Sequence, residues 1–312
     1  MKKISWKVNI IAVVLLAVFS SIGNAATSKK VLVVLSSENK ITLKNGVQHP
    51  TGFFMSELIV PLRIFMKAGF EPVFATPKGK ETRPVVDQIS RVYWFDKEKK
   101  QKAPWFKSEK EFSEILAFCI DQGLCSHNSV EGTLIPKTLG EITKELSQFA
   151  GLFIPGGHAP MEDLWKDRNL GLILKNFHKN RKPVAAICHG PIALLAALDD
   201  PEGYIAAFEK NDEKLMAEKT KNWIYRDTLM TSFSTREEQQ EEPGQDNVLG
   251  DFVKFYPDQA LDGAGARVLV RAAKWQNNVV TSEGLVTGEN PFSDETLGRK
   301  FLLLLESASK ER

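Results

Sequence analysis

The chain has 312 residues, 43% of them hydrophobic, enough for one large domain with a sizeable core. Its 41 basic and 39 acidic residues leave a net charge of +2, a balance that gives no electrostatic reason to expect nucleic acid or an anionic membrane surface as partner.

Lys2, Lys3 and Lys7 form a basic start, and Val8 to Phe19 is apolar apart from Asn9. The small residues that follow end at Ala25. This layout predicts a secretory signal peptide over residues 1–25, cleaved after Ala25, with an apolar part too short to span a membrane comfortably. A periplasmic or secreted protein follows, with no stable membrane insertion after cleavage. Without the three lysines of that segment, 41 basic groups become 38 against 39 acidic, a net charge of −1. Residues 26–312 are expected to form one domain.

Lys30 to Ser36 reads as a buried strand, and Phe53 to Ala68 as a helix with Phe54, Leu58, Leu62, Phe65 and Met66 on its apolar face. Gly69 sits where a helix C-cap is wanted. Phe70 to Thr76 is the next strand. Lys78 to Pro136 differs in composition, rich in charge and in aromatics such as Trp94 and Trp105, and reads either as an insertion packed on the core domain, a lid or dimer contact, or as a solvated connector. Within it Glu109 to Asp121 looks helical. Cys119 and Cys125 could close a small disulfide in an oxidising compartment, which would leave Cys188 as an odd free thiol. Reading Cys119, Cys125 and His127 as metal ligands lacks a visible fourth ligand.

Leu152 to Pro155 is a strand that runs into Gly156-Gly157-His158, and Asn169 to His178 is a helix. Val184 to Ile187 suits a strand buried on both faces. Cys188-His189-Gly190-Pro191 follows, and Ile192 to Leu198 reads as a helix with Pro tolerated in its first turn. Strand, tight turn and helix is the layout of a nucleophile elbow. A helix N-terminus aimed at Cys188 would favour the thiolate and lower the thiol pKa. The other reading of Cys188 is a buried structural residue. Glu237 to Glu242 looks like a charged loop, Val268 to Ala272 and Val279 to Thr281 like strands, Gly284 to Pro291 like a turn-rich stretch, and Ser293 to Glu306 like a closing helix.

Strands alternating with helices predict an α/β fold, a doubly wound, mostly parallel sheet sandwiched by helices. Sites in such sheets lie beyond the carboxyl ends of the strands, where Ser36, Gly156-Gly157-His158 and Cys188-His189 all fall.

Four groups of residues together resemble the PfpI superfamily, the class I glutamine amidotransferase-like, flavodoxin-like fold, and within it the heat-shock chaperone branch of glyoxalase III type. They are Thr51-Gly52 with Glu57 and Pro61, Ile154 to His158 with Asp163-Leu164, Ala186 to Pro191, and Val286 to Pro291. The resemblance implies Cys188 as nucleophile, Glu57 as a mostly protonated carboxyl exchanging a proton with it, and His189 as the acid or base beside it. It implies an oxyanion hole from Gly157 and the N–H of His189, with His158 as a pocket residue. Glu238 would orient His189, with Glu237 one residue away as the competing choice. The implied function is a glutathione-independent glyoxalase (methylglyoxal to lactate) or a related protein deglycase. Its substrate is a small aldehyde, no metal or other cofactor is expected, and the assembly is a homodimer. The alternatives are an exported stress chaperone with a redox-sensing cysteine, or a cysteine peptidase or amidohydrolase on the same fold.

Overall fold

A computed structural model describes residues 29–87, 90, 108–127, 129 and 131–310. The expected signal segment and the aromatics Trp94 and Trp105 of the insertion lie outside them.

The chain opens with β1 (Lys30–Val34), a hairpin of β2 (Lys40–Thr42) and β3 (Gln48–Pro50), α1 (Met55–Lys67) and β4 (Glu71–Thr76). Residues 78–136, only partly described, hold α2 (Glu109–Asp121); then come β5 (Lys137–Thr138), α3 (Leu139–Ile142), β6 (Phe149–Ile154), α4 (Arg168–Lys179) and β7 (Val184–Ile187). A 3₁₀ helix, Gly190–Ala197, precedes α5 (Pro201–Glu209), α6 (Glu213–Thr220), β8 (Leu229–Met230) and α7 (Thr235–Glu241). The last elements are α8 (Pro257–Gly263), β9 (Arg267–Val268), β10 (Val279–Ser282), β11 (Leu285–Gly288) and α9 (Asp294–Lys310).

Among the described residues these build a seven-stranded sheet in the order β10-β11-β7-β6-β1-β4-β5. All its pairings are parallel except β10 with β11. One apolar cluster, with Leu32, Leu152, Leu174 and Leu194, fills the face under α4 and the 3₁₀ helix. The other, with Val33, Phe65, Phe153 and Phe301, lies under α1 and α9. β6 and β7 are buried along their whole length, as strands covered on both faces must be. The expected doubly wound α/β sandwich is therefore present.

Several expectations need correction. Residues 284–291 are not only turn: β11 pairs in parallel with β7 and is buried throughout. The acidic stretch from Glu237 is helix rather than loop, because Ser234 and Glu237 form a reciprocal capping box. Ile192 to Leu198 is 3₁₀ rather than α, opened by the Ile192 N–H donating to the carbonyl of His189 three residues back. The strand expected over Val268 to Ala272 shrinks to Arg267–Val268 beside β8. Helices α5, α6 and α8 were not anticipated. Cys119 and Cys125 are joined, with Cα atoms 5.6 Å apart, and Cys188 is free. The bond closes the turn after α2.

Candidate active site

β7 ends at Ile187, and the next residue takes a left-handed backbone, Cys188 φ +60°. That conformation is uncommon for a side chain other than glycine and marks a position held by its surroundings. The Cys188 N–H donates to the carbonyl of Gly288 at 2.8 Å, and its own carbonyl accepts from the Phe233 N–H at 2.8 Å. Gly190 completes the elbow, since a Cβ there would stand 2.7 Å from the carbonyl oxygen of Ile154. The turn thus lifts a cysteine beyond the carboxyl end of a central strand.

Four side chains meet there. Cys188 Sγ lies 3.2 Å from His189 Nδ1. His189 Nε2 lies 2.6 Å from Glu238 Oε2, and His158 Nε2 lies 2.8 Å from Glu238 Oε1. All four are buried. Burial would raise the Glu238 carboxyl, but the two imidazoles outweigh it and hold it well below the usual carboxylate range. An ionised carboxylate only accepts, so both Nε2 atoms carry hydrogen and donate to it. Burial opposes charge on His158, yet the carboxylates of Glu238 and Asp87 raise its pKa well above the ordinary value. His158 is therefore the imidazolium. Burial and the His158 charge push His189 down, so His189 is neutral. Its hydrogen sits on Nε2, which leaves Nδ1 bare toward the thiol as a base.

Glu57, in the first turn of α1, is fully buried, and a side chain on Gly156 would collide with both Cys188 Cβ and Glu57 Oε2. The carboxyl and the thiol are thus neighbours across a glycine that leaves room for neither to be displaced. Among the described residues no other group is offered to the Glu57 oxygens, and burial pushes the carboxyl well above its ordinary value. The expected depression of the thiol pKa is reversed. Burial pushes Cys188 well up and the Glu57 charge adds to it, while a hydrogen bond from the Gly157 N–H opposes them. Desolvation of a thiolate outweighs the short 3₁₀ helix behind it. The resting group is a thiol that needs a base.

Gly157 has φ +88°, and a side chain there would collide with the carbonyl of Gly52. Only glycine brings its N–H to the sulfur in this way. Glu237, the competing choice for the orienting acid, faces away. Its Oε2 accepts from Ser234 Oγ at 2.9 Å and its Oε1 from Trp275 N–H at 2.7 Å and Asn290 Nδ2 at 2.8 Å. Thr287 Oγ1 accepts from the Thr231 N–H at 2.8 Å. The Val286–Pro291 motif is thus a bracket that holds α7 and the segment before it in register with β11.

Sequence reasoning missed Asp87 and Glu241. Asp87 Oδ2 accepts from Thr51 Oγ1 at 2.7 Å and stands 3.8 Å from His158 Nδ1. No local pattern marks it, because it lies in irregular chain. Glu241 Oε2 stands 3.7 Å from His158 Nε2. Its signal was its place one helical turn after Glu238. Both line a narrow cleft with Cys188, His189 and Phe233. Donor atoms of His158, His189 and Glu238 lie within 4.8 Å of one another, a spacing a divalent ion could bridge, although here they bond each other.

Fold and site together define an α/β protein with a cysteine on a nucleophile elbow. Residues 117–233 match the DJ-1/PfpI family, a stretch that holds Cys188 and His189. That stretch is similar to the DJ-1/PfpI family over 117 of the 312 residues. It is 30% identical over 193 residues to the protein/nucleic acid deglycase HchA of Escherichia coli O157:H7, covering 59% of each chain. The Shigella boydii protein of the same name matches to the same extent, 30% over 193 residues. The chain thus spans 59% of the length of these curated relatives. Among solved structures it is similar to the Rapid Encystment Protein of Francisella tularensis, with TM-score 0.60 and 20% identity, covering 88% of this chain and 98% of that one. It is also similar to glyoxalase III from Candida albicans, with TM-score 0.57 and 21% identity over 88% and 96%. These structural likenesses concern the fold.

Proposed function

We propose that this chain is a cysteine-dependent enzyme of the glyoxalase and deglycase kind, which converts methylglyoxal and water to lactate without glutathione. The observation that carries the reading is the bare Nδ1 of a neutral His189, 3.2 Å from the thiol and fixed from behind by Glu238. A base held against a nucleophile and oriented by a third group is the arrangement covalent catalysis needs. The kinship with HchA and the glyoxalase III fold supports the same class.

In this reading His189 takes the Cys188 proton and the sulfur attacks the aldehyde carbon. The Gly157 N–H, with that of His189, receives the charge developing on oxygen. Return of the proton gives a hemithioacetal. His189 then moves the proton from the aldehyde carbon to the adjacent carbon through an enediol, leaving a lactoyl thioester. Water attacks the thioester with His189 as base, releasing lactate and the thiol. Glu57, neutral beside the sulfur, limits the negative charge that accumulates there.

Cys188 is 3% exposed, and a nucleophile so enclosed suits a small free aldehyde better than a peptide. The name of the HchA relatives favours a second reading, removal of early glycation adducts by the same thiol. The test is lactate release from methylglyoxal in glutathione-free buffer, run beside release from a glycated peptide. Lactate formation supports the first reading. Peptide release without it supports the second, and neither activity rejects both. We also propose export of the chain, which the Cys119–Cys125 bond supports because such bonds persist in oxidising compartments. Finding the chain in the cytosolic fraction would reject export.

A further inference from the structure

Helix α7 turns Glu238 and Glu241 to the same side, since residues three apart share a helical face. Glu238 is consumed by two histidines. Glu241 is not: its Oε2 is buried and has no hydrogen-bond partner among the described residues. His158 Nε2 is 3.7 Å away and already gives its hydrogen to Glu238. The other polar side chains of the cleft are engaged, Asp87 by Thr51 and the two histidines by Glu238. A buried polar atom without a partner costs free energy, and one that lines a cleft beside a nucleophile finds its partner in a ligand.

We infer that Glu241 is a further catalytic residue, whose carboxyl donates a hydrogen bond to the ketone oxygen of a 2-oxoaldehyde held on Cys188 and so selects vicinal dicarbonyls over simple aldehydes. This rests on the proposed hemithioacetal chemistry. Burial raises the carboxyl to about 8, with Glu238, Asp87 and Asp246 adding to the rise and His158 opposing it, so Glu241 holds its proton at neutral pH. When His189 removes the proton of the former aldehyde carbon, that C–H electron pair becomes the new C–C double bond. Charge moves to the ketone oxygen, which takes the Glu241 proton and becomes the enediol hydroxyl. The enediol then accepts the His189 proton on that second carbon. The hydroxyl on the first carbon returns a proton to Glu241 as the thioester carbonyl forms. Both residues end as they began.

The test measures how well methylglyoxal and propanal each protect Cys188 from iodoacetamide, in the wild-type chain, Glu241→Leu and Glu241→Gln. Comparing the ratio between variants cancels the intrinsic reactivity of the two aldehydes. The preference for methylglyoxal should fall about ten-fold in Glu241→Leu and survive in Glu241→Gln, which still donates. Lactate release should fall about 10²-fold in Glu241→Leu, as for loss of one oxyanion donor. An unchanged preference in Glu241→Leu overturns the inference. Absence of lactate from the wild-type chain instead rejects the proposed reaction, and the protection ratios still decide the role of Glu241. Should Glu241→Leu not fold, the pH series decides. The wild-type preference should decline above about pH 8 as the carboxyl ionises while Glu241→Gln stays level, and a level wild type overturns the inference.

Discussion

The His158 and His189 rings lie with centroids 4.1 Å apart and planes tilted by 41°, and each points Nε2 at a different oxygen of Glu238. One carboxylate therefore serves two histidines of opposite state, an imidazolium and a neutral base. Charge on His158 keeps His189 neutral, and a neutral His189 is what the thiol requires.

This coupling sets a stability window. His158 has a raised pKa, so its contribution is complete below the ordinary value of 6.5 and is lost as pH rises through the folded value. Glu238 has a lowered pKa, so its contribution is complete above 4.5 and is lost as pH falls toward the folded value. Both are complete between 4.5 and 6.5. Removing one partner of such a buried pair costs about 3–5 kcal/mol. Denaturation of wild type against Glu238→Gln should show that difference in the window and a smaller one on either side. Nitrogen chemical shifts of His158 should change from imidazolium to neutral in the variant at pH 7.

The thiol should be slow at neutral pH without substrate. Burial and Glu57 both raise it, so alkylation of Cys188 should reach half its limiting rate above the ordinary cysteine value of 9.0. At the alkaline pH where the thiol titrates, an ionised Glu57 would oppose the thiolate; Glu57→Gln cannot ionise, so the midpoint should move down. An unchanged or raised midpoint would exclude electrostatic coupling of the two groups.

Gly157→Ala should be costly even though only a methyl is added. The φ of +88° adds strain of about 1–3 kcal/mol for a non-glycine residue, and the methyl meets the Gly52 carbonyl. The N–H at the sulfur would move, and kcat should fall about 10²-fold. Full activity in a folded Gly157→Ala chain would exclude that N–H from catalysis.

Asn290 is a positioning residue. Its Nδ2 donates to Glu237 Oε1 at 2.8 Å and to the carbonyl of Gln276 at 3.0 Å, which fixes the first turn of α7 and with it Glu238. Asn290→Ala should lower kcat about ten-fold with KM held, and shift the acid limb of the pH profile as His189 loses its alignment. A change confined to thermal stability would make the residue merely structural.

Much of this was legible in the chain. Val184 to Ile187 and Glu109 to Asp121 have the bounds the sequence suggested, because their signals are local. Cys188, His189, Glu57 and Glu238 do converge. The residues after Glu237 were misread because an acidic run suggests solvent. Here Glu237, Glu238 and Glu242 are buried, since His158, His189, Trp275, Asn290 and Tyr256 supply partners from distant chain. Ser234-x-x-Glu237 is a capping signal that the sequence carries and that the loop reading did not use. The thiol pKa was misjudged because a helix dipole can be read locally, whereas complete burial cannot.

The central claim is that Cys188 carries the substrate covalently, and an acid-quenched single turnover with methylglyoxal, read by intact mass and peptide mapping, tests it most directly. The account predicts one lactoyl thioester on Cys188 in the wild-type chain, none in Cys188→Ser, and slower appearance in Glu238→Gln. Lactate formed at the wild-type rate by Cys188→Ser, or turnover with no adduct on Cys188, would contradict it.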